Sequence, residues 1–300
     1  MLTLEHAPDD RRGLFGAFIN MAAPLSQVLS NGMLFVISAL MTPEQFMTYG
    51  WRIPFLMSVL MVFIGLYIRS KVEESPAFEQ LKKEQKPIVE REGHVVPKSS
   101  VLRDHGSMVL RLMLFWGAPS ACFWIVAVFS LGWMTKAAGV APQTAFLCLM
   151  GANVVAVVTT FMGGIASDRF GRKPTLIVLF VILLLMSLTY FRLVGTGNPV
   201  VIFLAMAVFA GTIQAQSGVL PAFFAEPFPT SVRYAGSAFA YTGANLLFSG
   251  PAPFVAAWLM EQSGGQVWVL TALCFALTVM SFISLLTIPE SRHLSLNRDN

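Results

Sequence analysis

The sequence predicts an all-α polytopic membrane protein with eight transmembrane helices, and three observations carry that prediction. Of 300 residues, 55% are hydrophobic and only 12% are charged, where soluble domains carry roughly 25% charge. Mean hydropathy is +0.67. The apolar residues gather into runs of about 20, the length that crosses a ~30 Å hydrocarbon core as a helix. Lysine and arginine fall on one side if successive runs alternate direction. The period-2 pattern of barrel strands is absent from the sequence, and a helix pairs its own backbone polar groups within lipid.

The first run, 14–40, is long enough to tilt or kink. In it Asn20, Pro24, Gln27 and Asn31 follow i, i+4, i+7, i+11 and share one face. The second run, 51–70, is almost uniformly apolar and suits a lipid-facing helix. The third, 108–134, places Trp116, Ser120 and Trp124 on one face, and the fourth, 143–166, carries a single amide, Asn153. The fifth, 174–194, is apolar. The sixth, 199–224, aligns Gly211, Gln214, Gly218 and Pro221, while Gln216 lies about 200° round the helix from Gln214. The seventh, 234–260, aligns Tyr241, Asn245 and Ser249 before the breaker run Gly250-Pro251-Ala252-Pro253. The eighth, 266–288, is apolar. Cys122, Cys148 and Cys274 lie inside runs and read as small buried hydrophobes.

With the N-terminus inside, 17 of the 20 Lys and Arg are cytoplasmic, and only Arg52, Lys136 and Arg192 are outside. This split requires an even number of spans and puts both ends in the cytoplasm. Cysteines introduced at positions 136 and 196 are expected to label from outside, and those at 85 and 297 from inside. The opposite pattern would overturn the topology. Residues 71–106 hold most of the lysines, with Pro87 and Pro97, and read as a cytoplasmic linker. It divides a two-helix remnant, 1–70, from a six-helix unit, 107–300. The pI near 9.1 comes from these orienting loops and gives no sign of nucleic acid.

Internal repetition organises the chain. Glu5, Pro8 and Arg12 recur in spacing as Glu226, Pro229 and Arg233, 221 residues on. Glu74-Ser75-Pro76 ends one run and Pro289-Glu290-Ser291 the last, with Glu74 and Glu290 216 residues apart. The chain thus reads as two copies of one unit, the first incomplete. Between the fourth and fifth runs stands Gly164-Ile-Ala-Ser-Asp168-Arg169-Phe-Gly171-Arg172-Lys173. A tight turn needs a residue such as Gly171 that takes positive φ at little cost. Gly164 permits close helix approach, and Asp168 is suited to a helix N-terminus.

This decapeptide resembles the signature loop of the major facilitator superfamily. Glu5/Arg12 and Glu226/Arg233 resemble its glutamate–arginine motif, and Glu74 and Glu290 its end-of-half carboxylates. Arg11-Arg12-Gly13, Gly50-Trp51-Arg52-Ile53-Pro54-Phe55, Glu74-Ser75-Pro76-Ala77-Phe78 and Leu102-Arg103-Asp104-His105 resemble the metabolite:proton symporters, which include shikimate, α-ketoglutarate and proline/betaine carriers. Gly117-Ala118-Pro119-Ser120 departs from the more polar stretch of that subfamily. The resemblance implies the last eight of twelve helices, with the first four missing, in a bacterial inner membrane. It further implies a cytoplasmic gate made of Gly164, Asp168, Arg169, Gly171, Arg172, Lys173, Glu226, Arg233, Glu290, Glu5, Arg12 and Glu74. In it Arg169 and Arg172 would meet Glu226 and Glu290, and Asp168 would face the start of the first span near Arg12.

A substrate cavity in such a protein lies near the midplane between the halves. Its candidates are Asn20, Gln27, Asn31, Trp116, Ser120, Trp124, Gln214, Tyr241 and Asn245. Asn153 and Gln216 read as interhelical glue. No Asp, Glu, His or Lys lies deep in any run, so a proton relay would have to reside in the missing helices. No enzyme constellation, cofactor motif or metal cluster is present in the sequence. Two functions follow: a secondary transporter, by resemblance a proton symporter, of a small organic metabolite, or a non-transporting fragment or decayed reading frame. Read as lacking four helices, the chain is expected not to catalyse coupled uptake alone.

Overall fold

In a computed structural model, residue 8 and residues 11–71, 98–229 and 232–291 are described. Glu5 and Glu74, most of the linker and the last nine residues lie outside them. The described residues form helices and no strands. The order is α1 (Arg12–Asn20), α2 (Ala22–Leu40), α3 (Pro43–Thr48), a 3-10 turn (Gly50–Arg52), α4 (Ile53–Lys71), α5 (Lys98–Gly132), a π-turn (Trp133–Ala137), α6 (Pro142–Phe170) and α7 (Arg172–Val194). Then come α8 (Pro199–Ala225), α9 (Arg233–Ala244), a π-turn (Asn245–Ser249), α10 (Ala252–Gln262) and α11 (Trp268–Thr287).

Among the described residues seven segments are long and apolar enough to cross a membrane. They are Arg12–Leu40, Gly50–Tyr67, Arg103–Lys136, Pro142–Phe170, Arg172–Val194, Pro199–Ala225 and Trp268–Thr287. The predicted run 234–260 is instead split into α9 and α10. Pro251 and Pro253 have no N–H to continue a helix ladder. The helix widens before them, with the Gly250 N–H reaching back to the Asn245 carbonyl at 2.8 Å, and restarts at Ala252.

The first span also carries a break. Pro24 leaves the Asn20 carbonyl without its i+4 donor, and α1 passes to α2 through Met21. Pro119 and Pro221 lie inside α5 and α8, whereas other prolines start helices, where a missing N–H costs nothing. Pro142 opens α6, and Pro199 opens α8 behind an Asn198 side chain that accepts the Val200 N–H at 3.0 Å.

Two apolar clusters stack along the bundle. One joins Phe115, Trp116, Leu176, Phe180, Val219 and Phe223; the other joins Ile125, Ala152, Tyr190, Ile202, Phe209 and Leu270. Serines of α11 bind it to α5. The Ser281 hydroxyl donates to the Leu114 carbonyl at 2.5 Å and accepts the Ala118 N–H at 3.0 Å. It thus enters the α5 ladder one residue before Pro119. Ser284 donates to the Arg111 carbonyl at 2.7 Å.

Helices α6 and α8 cross most closely. A Cβ on Gly163 would stand 2.1 Å from the Ala215 carbonyl oxygen, and one on Gly218 would stand 2.1 Å from that of Thr160. Across the other face of α6, Gly164 meets Gly13 of α1. The first span therefore lies along α6 and α8. In contrast, the large apolar side chains of α4, from Phe55 to Tyr67, are exposed.

Candidate functional site

One end of the bundle gathers the charged groups, starting from the turn between α6 and α7. Gly171 closes α6 at φ +102°, a conformation open to glycine, and its Cβ position would stand 3.0 Å from Glu290 Oε2. That approach lets Glu290 cap α7: Oε1 accepts the Arg172 N–H at 3.0 Å and Oε2 the Lys173 N–H at 2.8 Å. Asp168 does the same for α1, with Oδ1 accepting the Gly13 N–H at 2.8 Å and Oδ2 the Leu14 N–H at 2.9 Å. Both carboxylates sit at the positive end of a helix dipole.

Arg172 links these caps. Its buried guanidinium donates through Nη1 to Asp168 Oδ1 at 2.5 Å and to Ser167 Oγ at 2.8 Å. Through Nε and Nη2 it donates to Glu226 Oε1 at 3.3 and 3.2 Å. The Ser291 hydroxyl donates to the other Glu226 oxygen at 2.5 Å. Burial pushes the Glu226 carboxyl above its ordinary range; the charge of Arg172, the hydrogen bonds of Ser291 and Arg172, and the charge of Arg12 oppose that rise. Arg12 and Arg233 are buried at the starts of α1 and α9. One polar chain thus runs from the N-terminus of the first span through Asp168, Arg172 and Glu226 to Ser291.

Glu290 meets the backbone of Arg172 and Lys173 at the open end of α7. The Arg169 guanidinium lies over the Phe170 ring, 5.3 Å from its centre. Lys173 Nζ donates to the Leu286 carbonyl at 2.8 Å, at the C-terminal end of α11. Ser167 and Ser291 were unassigned, although both lie inside the quoted motifs; a hydroxyl beside a buried ion pair is the only signal.

The cavity candidates divide. Gln27 and Asn31 line a 160 Å³ cavity together with Asn153, Tyr190, Phe123 and Phe209. Gln27 lies fifteen residues along from Arg12, about 22 Å from the charged end. Asn153 was read as glue, and its amide does donate to Leu149 of its own helix at 2.8 Å, yet it lines this cavity. Asn20 belongs elsewhere: its amide donates to the Ser217 carbonyl at 2.6 Å, and it shares a second cavity with Tyr241. The break before Pro24 separates it from the rest of its stripe.

The α8 stripe is a packing seam: Gly211 lies against Thr159, Gly218 against Thr160 and Pro221 against Gly16, with Gln214 buried among them. Trp116 is buried and stacked on Tyr241 at 6.5 Å, while Trp124 on the same stripe is exposed. Ser120 donates to the Trp116 carbonyl at 2.9 Å, and Asn245 to the Tyr241 carbonyl at 2.9 Å. The Gln216 side chain is fully buried, with no hydrogen-bond partner among the described residues.

A bundle of helices long and apolar enough to cross a membrane, tied at one end by a buried ion-pair network and holding an amide-lined cavity, defines a polytopic helical membrane protein. The chain belongs to the Major Facilitator Superfamily, whose profile matches residues 1–215. It is 34% identical over 302 residues to the inner membrane metabolite transport protein YhjE of Escherichia coli K12, covering 99% of this chain and 67% of that one. It is 28% identical to the glycine betaine/proline/ectoine/pipecolic acid transporter OusA of Dickeya dadantii, covering 94% of this chain and 56% of the relative. The shikimate transporter of E. coli K12 is 28% identical, over 89% of this chain and 60% of its own length. These relatives are transporters rather than enzymes. In fold the chain matches the proton:xylose symporter XylE with a TM-score of 0.67 at 20% identity, over 97% of this chain and 68% of XylE.

Proposed function

We propose that the chain forms the last eight helices of a twelve-helix secondary active transporter, a proton symporter of a small organic metabolite. In this reading α9 and α10 together make the seventh of eight crossings. The charge split supports a bacterial inner-membrane placement with both ends cytoplasmic. Residues 71–106 then link the two-helix segment 1–70 to the six-helix unit 107–300.

The observation that carries the proposal is the Asp168–Arg172–Glu226 chain. It joins the start of the first span to the six-helix unit at one end of the bundle. A buried ion pair is weak evidence for stability, but it suits an element with two packings a few kcal/mol apart. In our reading Asp168, Arg172, Glu226 and Glu290 are the closed gate. Gly164, Gly171, Arg12, Arg233, Arg169 and Lys173 shape and charge it. The metabolite binds at Gln27, Asn31 and Asn153. Asn153 joins the site because α6 brings it to the α2 stripe. The relatives' printed substrates, shikimate and proline or betaine, set the class to screen.

Removing the Asp168 caps tests the gate locally. Asp168→Ala is expected to cost about 0.5–2 kcal/mol or more, the range for a lost N-cap, and to speed amide exchange at Gly13 and Leu14. Unchanged exchange there would detach the first span from the gate.

The functional test is reconstitution with shikimate, α-ketoglutarate, citrate, proline and betaine under an imposed pH gradient, alongside binding titrations. Gradient-driven accumulation lost in Arg172→Ala would establish transport by this chain. Saturable binding without accumulation, weakened by Asn153→Ala, would assign it the binding half of the carrier. Failure of both with every solute would sink the reading.

A further inference from the structure

The amide cavity has a second kind of wall. Beside Gln27, Asn31 and Asn153 it is lined by four aromatic rings: Phe123 of α5, Phe146 of α6, Tyr190 of α7 and Phe209 of α8. Phe146, Tyr190 and Phe209 are buried, and Phe123 is half-buried. The Tyr190 and Phe209 rings meet at 4.7 Å with 44° between their planes. The Tyr190 hydroxyl is held against the Ser130 hydroxyl at 2.8 Å, so this aromatic corner is in place before any solute arrives.

The amides share one bias. Asn31 Nδ2 donates to the Gln27 carbonyl at 2.8 Å, and Asn153 Nδ2 to the Leu149 carbonyl at 2.8 Å. Each asparagine thus spends an N–H on its own helix. Its side-chain oxygen has no hydrogen-bond partner among the described residues.

A carbonyl oxygen and the face of an aromatic ring have one property in common: both present negative partial charge. A charged group that leaves water for this cavity must have its charge met there. No Asp, Glu, Lys, Arg or His is among the lining residues, so the partial charges of the wall decide the sign. They favour a cation within about 6 Å of the ring centres over a carboxylate. An alkylated nitrogen spreads its charge over C–H surface and needs no directed acceptor, which suits a wall with more rings than unpaired asparagine oxygens.

We propose that the amide cavity takes the positively charged, alkylated nitrogen of a small organic solute, on the rings of Phe123, Tyr190 and Phe209 and the oxygens of Asn31 and Asn153. The inference rests on the reading of this cavity as the metabolite's site. The Gln27 side chain makes no hydrogen bond among the described residues, and it is left to donate to the other end of the solute, such as a carboxylate.

The test is equilibrium binding of glycine betaine and of tert-butylacetic acid to the purified full chain. At neutral pH the two share shape and carboxylate and differ by a positive nitrogen in place of a carbon. Betaine is expected to bind at least about tenfold more tightly, and Asn153→Ala should weaken it. Phe123→Leu keeps apolar bulk and removes a ring. It should take away most of the preference and leave the affinity for tert-butylacetic acid where it was, whereas a merely structural role would weaken both alike. Phe146→Leu repeats the comparison on a second helix. Equal affinity for the two solutes in the unaltered chain would overturn the inference and leave the cavity as the binding site, as would binding of shikimate without betaine. Equal weakening of both solutes in the two leucine variants would also overturn it. If no solute binds in a way that Asn153→Ala weakens, the cavity is not the metabolite's site and the inference falls with that reading.

Discussion

Arg172→Ala is expected to destabilise the chain by about 3–5 kcal/mol at neutral pH, the cost of leaving a buried charge without its partner. Both side chains of the Arg172–Glu226 pair are 1% exposed, so water cannot replace the lost guanidinium. The same guanidinium also bonds Asp168 and Ser167, so one substitution strips donors from three side chains. The loss should depend on pH, with a sign that follows from Glu226. Its carboxyl is already raised by burial, and Arg172 is the largest of the groups opposing that rise. Without Arg172 the rise is greater. A group raised in the folded state contributes stability that is present below its unfolded value and is lost as pH climbs through its folded value. The variant should therefore lose most at high pH and approach the parent as pH falls into the ordinary carboxylate range. Glu226→Gln on the Arg172→Ala background should remove that dependence and recover part of the loss, with Ser291 still able to donate to the amide oxygen. Melting curves across pH read all three chains. A loss that is the same at every pH would show that Glu226 is not the group left uncompensated.

The residues of this network were legible because charge in a membrane protein is scarce, and each occurrence marks an end or a site. Gly171, Asp168 and Arg172 could be placed on one turn by spacing alone. What spacing cannot give is the partner's atom. Glu290 is three residues past the end of α11, and only the packing of α11 against α7 decides that it caps the backbone of Arg172 and Lys173. The amide cavity was less legible for a related reason. Asn20, Gln27 and Asn31 align on an uninterrupted helix, but Pro24 interrupts it. Asn20 then turns to Ser217 while the others meet Asn153. A lone amide such as Asn153 has no periodicity to mark its face, so only tertiary contact assigns it. The run 234–260 showed its breakers plainly. The residues Gly250-Pro251-Ala252-Pro253 place the end of the π-turn and the restart of the helix within one residue of where they fall.

Gly218→Ala and Gly163→Ala should each loosen the crossing on which the rest of the bundle is assembled. A single methyl at either position would stand 2.1 Å from a backbone carbonyl oxygen. A rotamer change cannot relieve that contact, because neither atom belongs to a movable side chain. The two helices must separate by roughly an ångström, giving up the dispersion contacts along the seam. Overpacking of a core costs about 1–3 kcal/mol where side chains can yield; here the upper end of that range is expected, since only backbone can. The strain should also spread. Gly164, next to Gly163, rests on the Gly13 carbonyl of α1, so a shift of α6 disturbs the Asp168 cap and the seat of the first span together. The double variant should cost less than the sum of the two singles, because one separation relieves both clashes. Gly132→Ala provides the control. A methyl there meets nothing within 4 Å, and the site lies at the end of α5. Alanine in a helix is about 0.5–1 kcal/mol better than glycine, so that variant should be neutral or slightly stabilised. Melting temperature in micelles, read beside amide exchange at Gly13 and Leu14, separates the cases. If Gly218→Ala melts with the control and leaves that exchange unchanged, the α6–α8 crossing is not as close as described, and the first span does not depend on it.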